Sequence, residues 1–163
     1  MIRSLLRRIW NAFAWLPALA DRPGFRWLLS GRVIGAPIVV ITHRGRRSGK
    51  IYRTPVEAIA EDPRPGEIVV SPMRGKRGDW YRNILAGGLV RVSLRGESFL
   101  PAWRELSERE REDALRRYLS DHPLYGRLIL RMLVRLHDLE GEPVTAVAAG
   151  VPMLVLRRPD RSG

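Results

Sequence analysis

The stretch "HRGRRSGKIYRTP", His43 to Pro55, sets five Arg and Lys side chains and one His around Gly45 and Gly49. Side chains of this type at this density do one kind of chemistry well, which is to hold an anion. Arg46 and Arg47 offer forked guanidinium donors, Ser48 a hydroxyl and Lys50 an ammonium. The glycines, Gly49 among them, let the backbone turn tightly and aim N–H groups into one concavity. Each charge-assisted hydrogen bond to a phosphate contributes about 1.5 to 3 kcal/mol. Arg53, on the strand that leaves the bend, extends the same positive surface. The plainer reading of these residues is a solvated hairpin tip. Two phosphate motifs are excluded: G-x-x-x-x-G-K-[ST] is absent, and the glycines open a strand where a dinucleotide fingerprint would open a helix.

Little else in the chain is equipped for chemistry. There is no Cys, hence no disulfide, thiolate ligand or Cys nucleophile. Ser48 and Ser71 lack patterned His and Asp partners, and His43, His122 and His137 are scattered without metal-ligand spacing, so no metal is expected. His43 reads as a hydrogen-bonded bystander at the rim. Trp80 and Tyr81, in "DWYRN", read from the residues alone as core aromatics.

The elements that must carry the bend follow from periodicity. "PIVVIT" (Pro37 to Thr42) is a β-branched run suited to a strand buried on both faces. Tyr52, Thr54, Val56 and Ala58 alternate with Arg53, Pro55 and Glu57, so a second strand pairs back as a hairpin. Further strands are expected at Glu67 to Ser71, Leu89 to Leu94, Glu97 to Leu106 and Val151 to Leu156. A short helix spans Asp79 to Leu85, with Asp79 as its N-cap. Ser107 and Glu110 form a capping-box pattern that opens a helix to about Ser120, with Glu112 and Arg116 paired on its face. Leu124 to His137 is a further helix. Six short strands with peripheral helices predict an α+β, mostly β domain: a small, mostly antiparallel β-barrel over residues 21–158, followed by a disordered tail over 159–163.

Charge points to the class of partner. Lys plus Arg outnumber Asp plus Glu by 29 to 17 in 163 residues, a formal charge of +12, and all the cations but Lys50 and Lys76 are Arg. Such a balance asks for nucleic acid, a phosphorylated small molecule or an anionic membrane. In residues 1–20 the apolar Leu5, Leu6, Ile9, Trp10, Phe13 and Leu16 recur at helical spacing, with Arg3, Arg7 and Arg8 between them. This amphipathic helix suits a membrane surface, or packs its apolar stripe on the domain; a signal peptide is the weakest reading, because Trp10, Asn11 and Trp15 interrupt the apolar run. No stretch reaches the ~20 apolar residues of a membrane span.

"GRRSGKIYRTP" (Gly45 to Pro55), preceded by "IVVITH" and followed by Ser71 and by "DWYRNILA" (Asp79 to Ala86), resembles the deazaflavin-dependent nitroreductase family. The resemblance runs from about Val39 to Leu94. It implies a split β-barrel that binds the deazaflavin coenzyme F420 and passes a hydride to a small apolar acceptor such as a quinone, an enone or a nitro compound. Carried over by position, it implies that Arg46, Arg47 and Arg53 grip the coenzyme's phosphate and acidic tail, with Ser48, Gly49, Lys50 and Pro55 beside them. Ser71 stands at the end of the third strand, Trp80 near the ring, and Asn83 pins the helix. The chain departs from the pattern at "SPMRGKRGDW", where Pro72 replaces a donor N–H and Arg74, Lys76 and Arg77 supply charge instead. Tyr125 matches one tyrosine of the family's substrate pocket, while Leu128 stands where a second is expected. Relatives of the fold that carry flavin, haem or lipid make a loaded carrier, for example of FMN, the alternative. A nucleic-acid-binding basic barrel is the second alternative, although no RNP-like or zinc pattern appears and no nucleic acid is expected. A membrane quinone would place the protein in the cytoplasm, peripheral on the inner face of the cell membrane. Small barrels of this kind often pair, which admits a homodimer.

Overall fold

A computed structural model describes residues 37–61 and 63–159. The expected helix at 1–20 lies outside them, as does most of the expected tail.

The strands are β1 (Ile38–Arg44), β2 (Ile51–Glu61), β3 (Glu67–Val70), β4 (Leu89–Leu94), β5 (Glu97–Phe99), β6 (Ala102–Glu105) and β7 (Leu154–Arg157). The helices are α1 (Asp79–Leu85), α2 (Glu108–Asp121), α3 (Pro123–Leu136) and α4 (Pro143–Gly150), with a single 3-10 turn at Gly75–Arg77. All strands join one antiparallel sheet in the order β5-β4-β1-β2-β3-β7-β6.

The expected α+β fold is therefore present, with seven strands where six were read. What the sequence presents as one fifth strand is two. Leu100 and Pro101 break it, and the chain passes from one edge of the sheet to the other between Phe99 and Ala102. Three residue steps reach about 11 Å at most. The sheet must therefore curl until its opposite edges nearly meet, leaving a half-barrel with an open seam. From inside the curl the Tyr81 hydroxyl of α1 donates to Glu105 of β6, and burial together with this bond pushes the Tyr81 phenol up to about 12.

Strict alternation divides the core between the two faces of the sheet. Val39, Ile41, Ile68, Val70, Leu154 and Leu156 pack inside the curl against Trp80, Tyr81 and Ile84 of α1. Ile59, Val69 and Val155 face outward onto Leu115, Tyr118, Leu130, Leu133 and Val147 of α2, α3 and α4. β3 and β7 are buried on both faces, which is why they read as unbroken apolar runs.

The capping box is present as read: Ser107 Oγ accepts from the Glu110 backbone and Glu110 Oε2 accepts from the Ser107 backbone at 2.9 Å. Glu112 and Arg116 pair at 2.5 Å. Helix α4 was missed. "PVTAVAAG" has no polar face to mark it, because beside the buried Val144, Ala146, Val147 and Ala148 its exposed positions are Thr145, Ala149 and Gly150, and the Glu142 side chain caps its start by accepting from Thr145 N at 3.0 Å. Among the described residues no helix is long and apolar enough to cross a membrane.

Candidate active site

A strand pair and one short helix build a cleft at the end of the β1–β2 hairpin. The hairpin register sets Arg44 opposite Ile51, so six residues, Gly45 to Lys50, close the loop. Gly45 N donates to Lys50 O and Gly49 N to Gly45 O, each at 2.8 Å, with Gly49 at φ +67°. A Cβ on Gly45 would meet Ser48 Oγ at 2.6 Å and the Tyr52 ring at 2.8 Å. The loop is folded onto itself so closely that a larger residue at Gly45 would displace the Ser48 and Tyr52 side chains.

Helix α1 is pinned against this loop. Its end turns back at Gly88, where an added Cβ would meet Arg44 O at 2.5 Å and Asn83 O at 2.8 Å. Gly88 N donates to Asn83 O and Arg44 N to Gly88 O, closing helix, turn and strand into one unit. The N-cap is Gly78 and not Asp79, whose carboxylate points out as the first helical residue. From there it pairs with Arg46 at 3.2 Å and with Arg74 at 3.9 Å. A carboxylate in a first helical turn is favoured by the helix dipole, and here it also gathers two cationic side chains.

Asn83 is the buried centre of the arrangement. Its Oδ1 accepts from Arg46 N at 3.1 Å and from Arg46 Nη1 at 2.9 Å. Two donors on the oxygen leave the amide N–H to face His43, whose Nδ1 is 3.0 Å away. The network therefore assigns Nδ1 as acceptor and leaves the proton on Nε2, which donates to Thr54 Oγ1 at 3.0 Å. Burial holds the His43 imidazole below its ordinary value, with the Asp79 charge opposing, which agrees with a neutral ring. The His43 ring also stacks on Tyr52, its partner in the hairpin, at 5.7 Å between centroids.

The cleft that results has a volume of about 460 Å³. Small-molecule sites commonly measure about 300 to 1,000 Å³. Arg46, Arg47, Ser48 and Arg74 give it a cationic rim, and Met73, Trp80, Tyr52 and His43 an apolar and aromatic lining.

Of the residues singled out in the sequence, the fold brings Arg46, Arg47, Ser48, Arg74, Trp80 and Asn83 to this cleft. Trp80 is both core and lining, buried to 6% exposure and edge-on to Tyr81. Gly49 and Lys50 shape the loop without lining the cleft. Arg53 lies on the face of β2 opposite Tyr52 and Thr54, because strand side chains alternate. Pro55 sits where β2 has β1 on one side and β3 pairing has not begun, so its missing N–H is tolerated. Ser71 Oγ donates to Pro152 O at 3.2 Å and joins β3 to the approach of β7.

Tyr125 is on the outer, helical face. Its hydroxyl donates to Glu57 Oε2 at 2.9 Å, beside Tyr118 at 2.6 Å to Oε1. The expected backbone nest is also altered: the amides of Gly45, Arg46, Gly49 and Lys50 are all taken up within the loop or by Asn83. Side-chain charge is what this rim presents. Thr54, Asp79 and His43 were missed as site residues. The alternation of β1 and β2 was the available signal, since the residues facing Val56 and Ile41 continue through Thr54 and His43 to the rim.

The F420H(2)-dependent quinone reductase family matches the chain over residues 27–129. The chain belongs to that family. It is an F420-dependent oxidoreductase, and the resemblance to deazaflavin reductases read from the bend and the α1 motif holds, with quinone in place of nitro compound in the family's name. The fold is shared with a solved F420-H2 dependent reductase, FDR-A, at 22% identity and a TM-score of 0.50 over 74% of this chain and 94% of that one. It is shared also with a structure described as a domain-swapped dimer, at 21% identity and a TM-score of 0.51 over 86% of this chain and 98% of that one. No curated protein matches.

The cleft fits the coenzyme chemically. An anionic phosphodiester and carboxylate tail needs the guanidinium rim, and a flat ring needs the Trp80 and Met73 lining.

Proposed function

We propose that the chain binds reduced F420 in this cleft and reduces a small apolar acceptor of quinone type. Arg47, Arg74 and Ser48 are the groups for the phosphate and acidic tail, while Arg46, held by Asp79 and Asn83, fixes the loop that carries them. Trp80 and Met73 give the ring an apolar seat from which water is excluded. The observation that carries this reading is the juxtaposition of cationic rim and aromatic lining in one cleft of about 460 Å³.

When bound, the reduced coenzyme supplies a two-electron hydride. The protein's part is then to hold donor and acceptor in near contact and keep water away, which is where orientation gains its effect. Asn83 keeps the Arg46 backbone in place, Asp79 holds the Arg46 guanidinium, and neutral His43 locks Asn83. No residue is needed as a strong acid. The matched family name supports a quinone; enones and nitro compounds share its electron-poor, uncharged character. The likeness to a domain-swapped dimer supports pairing of two copies, which light scattering on the eluting protein would resolve.

Fluorescence titration with F420 and with flavin mononucleotide tests the reading, followed by turnover of a short-chain quinone. Micromolar or tighter binding of F420, about −8 kcal/mol, with weaker flavin binding and quinone-dependent oxidation of the reduced coenzyme, is the expected result. Preference for flavin mononucleotide, or binding without turnover of any quinone, enone or nitro compound, would replace it with a carrier.

A further inference from the structure

The outward face of α3 differs from the other helical surfaces described. Gly126, Leu130 and Leu133 turn inward. At 100° per residue, Leu124, Arg127, Leu128, Arg131 and Arg135 fall in one stripe about 100° wide on the other side. Leu124 is 83% exposed and Leu128 65%, more than any other large hydrophobic side chain among the described residues.

Helix α2 provides the contrast. Its exposed face mixes Glu and Arg, with Glu112 and Arg116 in contact. From Pro123 to Leu136, α3 has no acidic residue. None of the ion pairs among the described residues takes up Arg127, Arg131 or Arg135. Two bare leucines among three uncompensated cations call for a surface that is apolar and anionic at once.

We propose that this stripe docks the protein on an anionic lipid bilayer, the leucines entering the boundary of headgroups and acyl chains and the arginines meeting lipid phosphates. The chain's own N-terminal segment is the competing apolar occupant. It carries Arg3, Arg7 and Arg8 and no acidic residue before Asp21, so like charge opposes its seating on the stripe. A nucleic acid would engage the arginines and leave the leucines in water.

Docking by α3 has a consequence for the cleft. At the end of α3, His137 Nε2 donates to Met73 O at 3.0 Å, and Met73 lines the cleft. One wall of the cleft is thus a single hydrogen bond from the docked helix, near the phase in which a lipid-soluble acceptor dissolves. That consequence rests on the proposed function; the docking does not.

Sedimentation of the full chain with sucrose-loaded vesicles tests the docking. Expected is binding to equimolar phosphatidylcholine and phosphatidylglycerol that weakens with salt, and little binding to phosphatidylcholine alone. Joint replacement Arg127→Gln, Arg131→Gln and Arg135→Gln lowers the partition coefficient roughly a hundredfold, at about fivefold per cation. Leu124→Ser with Leu128→Ser lowers it at least about tenfold while leaving heparin binding unchanged. Circular dichroism and F420 titration should not move in either variant, since all five residues are exposed and none of them lines the cleft. Wild-type partition in the leucine variant would overturn the proposal in favour of a simple charged patch. Wild-type partition in both variants, with loss in Arg3→Gln, Arg7→Gln, Arg8→Gln, would overturn it in favour of the N-terminal segment. Vesicle binding without F420 binding would sink the proposed function and leave the docking intact.

Discussion

Asn83 holds the backbone of Arg46 across 37 positions of chain, accepting from its N–H at 3.1 Å, and the same amide donates to His43. The cationic loop is therefore shaped from below by a buried side chain in α1. Asn83→Ala should leave the Arg46 amide and His43 Nδ1 without partners, at a cost of about 1 to 3 kcal/mol for each buried group. Thermal unfolding should show the loss, and F420 affinity should fall with it. Asn83→Asp restores the acceptor for Arg46 but not the donor to His43, so it should recover only part of both.

Arg47 is exposed at the rim and takes no part in that framework. Arg47→Ala should weaken F420 by roughly 10- to 100-fold, the worth of one or two charged hydrogen bonds, with thermal stability unchanged. Titration in parallel with heat denaturation separates the two effects. Equal affinity in the variant would remove Arg47 from the coenzyme site.

Glu57 is half-buried between Tyr118 and Tyr125, and desolvation raises its carboxyl above the ordinary value despite both hydroxyl bonds. A raised value means that its stabilising contribution is complete below about pH 4.5, the unfolded value, and declines as pH rises through the folded value. Glu57→Gln should abolish that decline in chemical denaturation at matched pH values. Glu57→Ala, which strands two phenols, should cost about 2 to 4 kcal/mol.

His43 titrates with the opposite sign. Its imidazole is held below the usual 6.5, so the unfolded chain binds the proton first and stability falls as pH drops below that value. The fall in melting temperature between about pH 7.5 and pH 5.5 should be steeper in the wild type than in His43→Gln. F420 affinity should fall at lower pH than stability does, once the folded ring itself takes up the proton, because a protonated Nδ1 can no longer accept from Asn83.

Gly88→Ala should destabilise more than Gly49→Ala. At Gly88 the new methyl meets two backbone carbonyls, whereas at Gly49 it meets open space and only the positive φ is strained, at about 1 kcal/mol. Melting temperatures of the two variants check the order.

The elements around the site were legible because their signals are local. An unbroken β-branched run marked β1, alternation marked β2, the Ser107–Glu110 pair marked the start of α2, and Leu89–Leu94 was read to the residue. Where neighbours distant in sequence decide, the reading failed. Leu100 and Pro101 look like part of a strand until the seam between the sheet edges is known, and α4 lacks a polar stripe because its exposed positions are Thr145 and the small Ala149 and Gly150.

The sequence by itself determined the chemistry of the rim, its two motifs and thereby the coenzyme class, since side-chain type and short spacing survive any folding. Only the tertiary structure decided which cations meet. It turned Arg53 to the far face of β2, gave Tyr125 to Glu57, and drew Arg46 and Arg74 to Asp79. Strand alternation and sheet curl set those outcomes over distances that no local pattern encodes.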